Sequence, residues 1–219
     1  MATLLMLSGG ADSAVALIKL LTENDEPVFC HHIIMIDRES QTRYKPQEIA
    51  CEKIVKYCRE HYRDFTYTKS HWNFPLSHFG WNLTLCAFVG ARVLRSFRRA
   101  RINRYAVGVI DEPHTLGMWE ERLKEIEMTF YGGLVSAKLP YKPEIIWPVA
   151  DMTKTDILNF LPTELTEIVS FCRNPSDQGN NAYQPCGNCI SCKTRKEVGR
   201  FESKSLSKDQ RQHITITSN

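Results

Sequence analysis

Two stretches of this chain carry residue types and spacings able to do chemistry. The first is Ser8-Gly9-Gly10-Ala11-Asp12-Ser13, which follows the apolar run Thr3-Leu4-Leu5-Met6-Leu7 and leads into an amphipathic stretch, Ala14 to Leu21. A strand, a glycine turn and a helix start together make a place for an anion. Glycines let backbone approach a ligand, the helix amides and dipole favour negative charge, and Ser8 and Ser13 add hydroxyls. A phosphate group fits there. Neither the Walker pattern nor the dinucleotide glycine fingerprint is present. The second stretch is Cys186-Gly187-Asn188-Cys189-Ile190-Ser191-Cys192, with Cys172 upstream of it. Four thiolates suit a tetrahedral structural zinc ion. An iron–sulfur cluster uses the same ligand type, and free redox thiols are the third reading.

The elements that must position these residues alternate. Val28 to Ile36 is an apolar, β-branched run ending at Asp37, and Phe65 to Thr68 and Tyr105 to Ile110 also read as strands, as does Ile145 to Trp147. Helical spacing occupies Pro46 to Tyr62, Leu83 to Phe97, Met118 to Tyr131, where Gly132-Gly133 is expected to end the helix, and Thr153 to Leu161, capped by Asp151 or Thr153. Strand alternating with helix implies an α/β fold, a parallel sheet with helices on both faces. Ligands then bind beyond the carboxyl ends of the strands. The serine-glycine turn, Asp37 and Asp111-Glu112 all fall at that edge. The expected organisation is a nucleotide-binding α/β domain over 1–165, a metal-binding segment over 166–198 and a loosely held polar tail over 199–219.

Composition sets the boundaries of function. The hydrophobic content of 42% supports a sizeable core, and the formal net charge of +3 permits an anionic partner without demanding one. No apolar run approaches the roughly 20 residues of a membrane span, and Met1-Ala2-Thr3 lacks the basic start of a signal peptide. The expectation is a cytoplasmic protein with no membrane partner, in which the 8 cysteines are not disulfides. Cys30, Cys51, Cys58 and Cys86 read as buried free thiols.

Ser8 to Ser13 resembles the S-G-G-x-D-S loop of the PP-loop, or N-type, ATP pyrophosphatases. Together with the cysteine motif, the chain is similar to the QueC family of 7-cyano-7-deazaguanine (preQ0) synthases over about residues 3 to 195. Those proteins open with the same loop and end with a Cys followed by C-G-x-C-x-x-C, which Cys172, Cys186, Cys189 and Cys192 match. Asp37 with Arg43 and Glu48, Gly108-Val109 followed by Asp111, and Trp147-Pro148 followed by Lys154 also resemble family segments. Asn82 falls where the family has P-G-R-N, although this chain reads Phe79-Gly80-Trp81-Asn82. The stretch from Cys172 to Cys186 is longer than usual, and a diverged or defence-associated member fits these departures.

The resemblance implies a Rossmann-like adenine-nucleotide fold with a small zinc-binding appendage. It also implies an ATP-dependent carbon–nitrogen ligase of queuosine-type biosynthesis, joining ammonia to 7-carboxy-7-deazaguanine. Leu7, Ser8, Gly9, Gly10, Ala11, Asp12, Ser13 and Asn82 would then bind ATP, with Asp12 capping its helix or arranging Mg2+. Lys154 would neutralise charge developing on phosphate, and Asp111 and Glu112 would contact the deazaguanine. Zinc would be structural, because four protein ligands leave no open position. Other acceptors remain in competition, such as a tRNA base or a different carboxylate, as does a nucleotide-binding module without turnover. Arg92, Arg95, Arg98, Arg99, Arg101 and Arg104 crowd one helix and its exit. They read as a solvated face or as a nucleic-acid contact. His31-His32 read as core or edge residues. Trp72, Trp81 and Trp119 are candidates to stack on a base, with core packing as the plainer account. A homodimer is kept among the partner readings, beside the small-molecule substrates.

Overall fold

A computed structural model describes residues 1–37, 43–74, 82–110 and 119–205. The chain divides into two compact units, Met1–Ser170 and the segment from Phe171 onward. The first unit is a five-stranded sheet in the order β3-β2-β1-β4-β5, every pair parallel. Its strands are β1 (Ala2–Met6), β2 (Val28–Asp37), β3 (Thr66–Phe74), β4 (Ile102–Val107) and β5 (Glu144–Ile146). The helices of this unit are α1 (Ala11–Thr22), α2 (Tyr44–His61), α3 (Asn82–Ser96), α4 (Trp119–Leu134), α5 (Lys154–Phe160) and α6 (Thr163–Ile168). The α/β parallel architecture expected from the sequence is the one observed.

Strand β1 explains why both faces of the sheet need helices. Its side chains alternate, with Leu5 in one core beside Leu17 and Ile54, and Leu4 and Met6 in the other beside Leu94 and Phe130. All five residues of the strand are buried, as a central parallel strand requires. Helix α1 is buried through Ser13 to Ile18 and again at Leu20 and Leu21, so it is apolar on nearly every side. Truncating a side chain such as Leu17 to alanine would cost about 2–5 kcal/mol. The chain order reverses between β1 and β4, and open α/β sheets bind their ligands at such a point, beyond the carboxyl ends of the strands.

Several elements differ from the sequence reading, among them β4, which spans Ile102–Val107 where the sequence suggests Tyr105 to Ile110. Gly132-Gly133 does not end its helix, and α4 continues to Leu134. A Cβ on Gly133 would stand 2.8 Å from the Cβ of Ala91 on α3, so this glycine serves helix packing. Strand β3 runs on to Phe74 where the sequence suggests only Phe65 to Thr68. It is an edge strand whose pairing with β2 holds polar residues such as Ser70 and Asn73 in extended form. In the second unit, β6 (Ser176–Asp177) and β7 (Tyr183–Gln184) form an antiparallel pair, and α7 (Ile190–Ser205) continues past Gly199 into the stretch read as a loose tail. The rest of that tail, 206–219, lies outside the described residues. Among the described residues no helix is long and apolar enough to cross a membrane.

Candidate functional site

The loop after β1 is built around one left-handed glycine. Gly9 has φ +78°, and a Cβ there would lie 2.6 Å from the Gln47 carbonyl of α2 and 3.3 Å from Cys51 Sγ. Only glycine meets both conditions. The flanking backbone is pinned on several sides. Leu7 N–H donates to His31 O at 2.9 Å, Leu7 O accepts from His32 Nδ1 at 2.8 Å, and Gly9 O accepts from Ser170 N–H at 2.8 Å. The bond to a carbonyl fixes the proton of His32 on Nδ1. Burial holds the His32 pKa below its ordinary value although that bond works the other way.

Ser8 and Ser13 face each other across the turn. Their hydroxyl oxygens are 2.9 Å apart, Ser8 N–H donates to Ser13 Oγ at 3.1 Å, and Ser13 Oγ donates to Gly10 O at 3.0 Å. Gly10 is the N-cap of α1 and offers no side chain to the first turn. Ala11, Asp12 and Ser13 therefore present helix amides without a side-chain cap, an arrangement suited to an anion.

Asp12 meets the candidate lysine. Lys154 Nζ is 2.9 Å from Asp12 Oδ1 and 2.7 Å from Oδ2, and both side chains are half-buried. Lys154 opens α5, whose N-cap is a reciprocal capping box. Asp156 N–H donates to Thr153 Oγ1 at 3.2 Å, and Thr153 N–H donates to Asp156 Oδ2 at 2.8 Å. The hydroxyl and N–H of Thr153 hold the Asp156 carboxyl below the usual range. Of the two caps the sequence offers, Thr153 is used. A lysine at a helix start is ordinarily disfavoured, and here the two oxygens of Asp12 offset that.

Gly108, just past β4, completes this corner. A Cβ on it would fall 2.6 Å from Ser13 Cα and 2.8 Å from Asp12 O. The carboxyl end of β4 is thus pressed directly against the first turn of α1. The sequence marks Gly108 as part of a buried strand, but nothing local reveals this contact. Ser170 and His32 as supports of the loop are equally invisible in the sequence. Of the remaining candidates, Leu7 is buried at the end of β1, and Asn82 is the exposed first residue of α3, with no bond to the loop among the described residues. Glu48 pairs with Lys69 at 2.7 Å. Trp72 meets Phe88 edge to face, with centroids 6.2 Å apart. Asp111, Glu112 and Trp81 lie outside the described residues, and so does the side chain of Trp119.

In the second unit the ligand atoms of Cys172, Cys186, Cys189 and Cys192 all lie within 4.8 Å of one another, and these cysteines can hold a metal ion. Gly187, at φ +76°, makes the turn between the first two of the close-spaced three. Backbone donors point at the sulfurs: Cys186 N–H at Cys172 Sγ (3.2 Å), Cys189 N–H at Cys186 Sγ (3.4 Å) and Arg173 N–H at Cys189 Sγ (3.5 Å). Donors from Asn188 and Cys189 bring the Cys186 thiol down. Burial opposes ionisation at Cys189, yet N–H groups of Arg173 and Cys192 bring it to about 6, while burial pushes Cys192 up to about 12. The β6–β7 pair lies within the stretch between Cys172 and Cys186. Outside this cluster, burial raises the thiol pKa of Cys30, Cys51, Cys58 and Cys86, the last two to about 12.

No family model and no curated protein matches the chain. Among solved structures, the chain is similar to the U34-tRNA thiolase NcsA from Methanococcus maripaludis with its [4Fe-4S] cluster. The two share 16% sequence identity at a TM-score of 0.50, over 93% of this chain and 65% of that one. The chain thus spans about 65% of the length of the thiolase. At that identity the likeness establishes the fold alone, a Rossmann-like parallel sheet flanked by helices.

Proposed function

We propose that this chain is an ATP-dependent adenylating enzyme of the PP-loop type, and that its acceptor is a 7-deazaguanine carboxylate converted with ammonia to the nitrile. The observation that carries the proposal is the Asp12–Lys154 pair set against an uncapped helix start and a glycine that accepts no side chain. In this reading the Ser8 and Ser13 hydroxyls and the amides of Gly10 to Ser13 hold the departing pyrophosphate. Lys154 exchanges part of its contact with Asp12 for the phosphate as charge develops. Mg2+, a hard ion, would take Asp12 and phosphate oxygens when bound.

A carboxylate resists attack by ammonia because its leaving group is oxide. Attack of a carboxylate oxygen on the α-phosphorus of ATP forms an acyl adenylate and expels pyrophosphate. Ammonia then displaces AMP to give the amide and releases a proton. A second ATP activates the amide oxygen with loss of a second pyrophosphate. Departure of AMP and of both nitrogen-bound protons leaves the carbon–nitrogen triple bond. The protein positions the reactants and stabilises charge, and no protein nucleophile is required.

The four cysteines fit a structural zinc ion. A zinc–sulfur bond of about 2.3 Å gives a tetrahedral edge near ~3.8 Å. The four sulfurs lie within 4.8 Å of one another, wider than that edge by about 1 Å, which small side-chain rotations about a single ion would close. Thiolates bound to separate irons of a cubane cluster are spread by the width of the cube. The likeness to a tRNA thiolase favours a second reading, in which the acceptor is a tRNA base and the cysteines carry a cluster. Sulfur transfer needs an accessible, acidic thiol or an open cluster position. The cysteines outside the cluster are buried or half-buried with raised pKa values, which weighs against the first of these routes. Exchange of labelled pyrophosphate into ATP, stimulated either by the carboxylated deazaguanine or by tRNA, decides between the two.

A further inference from the structure

The opposite end of the sheet, where β4 and β5 begin, carries a second feature. Helices α3 and α4 each finish in a short 3-10 turn, Arg98–Ala100 and Val135–Ala137. Each turn is closed by a basic residue in the left-handed region, Arg101 at φ 48° and Lys138 at φ 47°. Residues bearing a Cβ are disfavoured there, and glycine or asparagine is the easy choice. The same departure occurs twice, side by side, since Arg95 Nη1 donates to Ser136 Oγ at 3.0 Å. Arg92, Arg95, Arg98, Arg99, Arg101, Lys138 and Lys142 are all exposed. Among the described residues Arg92, Arg98, Arg99, Arg101 and Lys138 make no ion pair. Arg104, the last of the arginine stripe, is instead paired with Glu26.

Beside these cations lies a cleft of about 230 Å³ lined by Tyr131, Val135, Lys138, Tyr141 and Lys142, among others. Lys142 Nζ stands 4.4 Å from the Tyr131 ring centroid, Tyr141 Oη is buried without a hydrogen-bond partner among the described residues, and Val135 is 80% exposed. Flat rings and apolar side chains, Leu134, Val135, Leu139 and Pro143, beside rows of cations fit an unpaired base with its phosphates on the arginines. A second copy of this chain is a poor occupant, because a two-fold interface would bring like charges together.

We propose that this end of the molecule, formed by Arg92 to Arg101 and Tyr131 to Lys142, is a docking surface for single-stranded nucleic acid. The proposal is independent of the phosphate-loop reading, since the two surfaces lie at opposite ends of the strands. The test is fluorescence anisotropy of the full chain with a short labelled oligouridylate. With about four phosphates engaged, affinity falls roughly 50-fold between about 50 and 200 mM salt. Charge reversal by Arg98→Glu with Arg99→Glu weakens binding at least tenfold, while Lys53→Glu with Lys56→Glu on the exposed side of α2 leaves it unchanged. The pair Arg101→Gly with Lys138→Gly weakens binding while the protein melts at or above the wild-type temperature, which rules out loss of fold as the cause. Absence of oligouridylate binding at the lower salt overturns the proposal. An equal loss in the α2 control overturns it too, as does tighter binding to an acidic peptide or to phosphatidylserine vesicles. Pyrophosphate exchange is unchanged in the arginine variants, so failure of either reading is visible separately.

Discussion

Lys154 Nζ grips both oxygens of the Asp12 carboxylate, at 2.7 and 2.9 Å, across 142 residues of sequence. The contact ties the first turn of α1 to the first turn of α5. In the proposed reading it gives the loop after β1 a cation already held in place beside it, with a carboxylate that neutralises its charge until an anion arrives.

Lys154→Met is expected to lower pyrophosphate exchange about 100-fold or more, the usual scale for removing one donor to developing charge. The half-exposed pair itself is worth only about 1 kcal/mol of stability. Circular dichroism should therefore show a folded protein with an unchanged spectrum. The double variant Asp12→Asn with Lys154→Met should be no less active than the worse single, because the two side chains act as a unit.

Gly9→Ala and Gly108→Ala test the walls of the loop. Gly9→Ala combines a left-handed φ with a Cβ 2.6 Å from a carbonyl oxygen. Urea unfolding should show a loss of about 2–4 kcal/mol, the sum of the backbone and overpacking costs. Gly108→Ala has ordinary φ but meets Ser13 Cα at 2.6 Å, so it should cost about 1–3 kcal/mol. It should also reduce exchange, by pushing the first turn of α1 away from β4.

His31 provides a pH signature. Its ring nitrogens meet Thr68 Oγ1 at 2.8 Å and Ser70 Oγ at 2.9 Å. Burial, with the neighbouring His32, lowers its pKa from 6.5 to about 4. The folded protein therefore binds fewer protons than the unfolded chain in that window. The stability is fully present above pH 6.5 and is lost as pH falls toward 4. The loss should be roughly 1–3 kcal/mol, read from urea midpoints. His31→Gln should flatten that acid-side slope, and a slope unchanged by the substitution would contradict the assignment.

Metal analysis of the purified chain should give about one zinc per chain and no visible absorption band, as expected for a closed four-sulfur site. Chelation or Cys189→Ser should unfold the second unit, seen as a loss of helix signal. Iron with a visible band would favour the thiolase-like reading.

What the sequence revealed follows how local each signal is. The loop from Ser8 to Ser13 and the cysteines from Cys186 to Cys192 are contiguous, so spacing alone exposed them. Thr153 and Asp156 form a capping box within one turn, and local spacing narrowed the cap to Asp151 or Thr153 for the same reason. The Asp12–Lys154 contact depends on two strands and several helices lying between its partners, and spacing could not supply it. Gly133 looked like a helix stop because its packing partner, Ala91, lies on another helix. Strand β3 was cut short because the polar residues after Thr68 owe their extended form to pairing with β2 rather than to their own preference.

The most direct measurement is incorporation of radiolabelled pyrophosphate into ATP by the metal-loaded protein, with and without 7-carboxy-7-deazaguanine and in the absence of ammonia. The account predicts exchange only when the acid is present, abolished in Lys154→Met. Exchange stimulated by tRNA and indifferent to the acid, or no exchange with any acceptor by a folded protein, would contradict it.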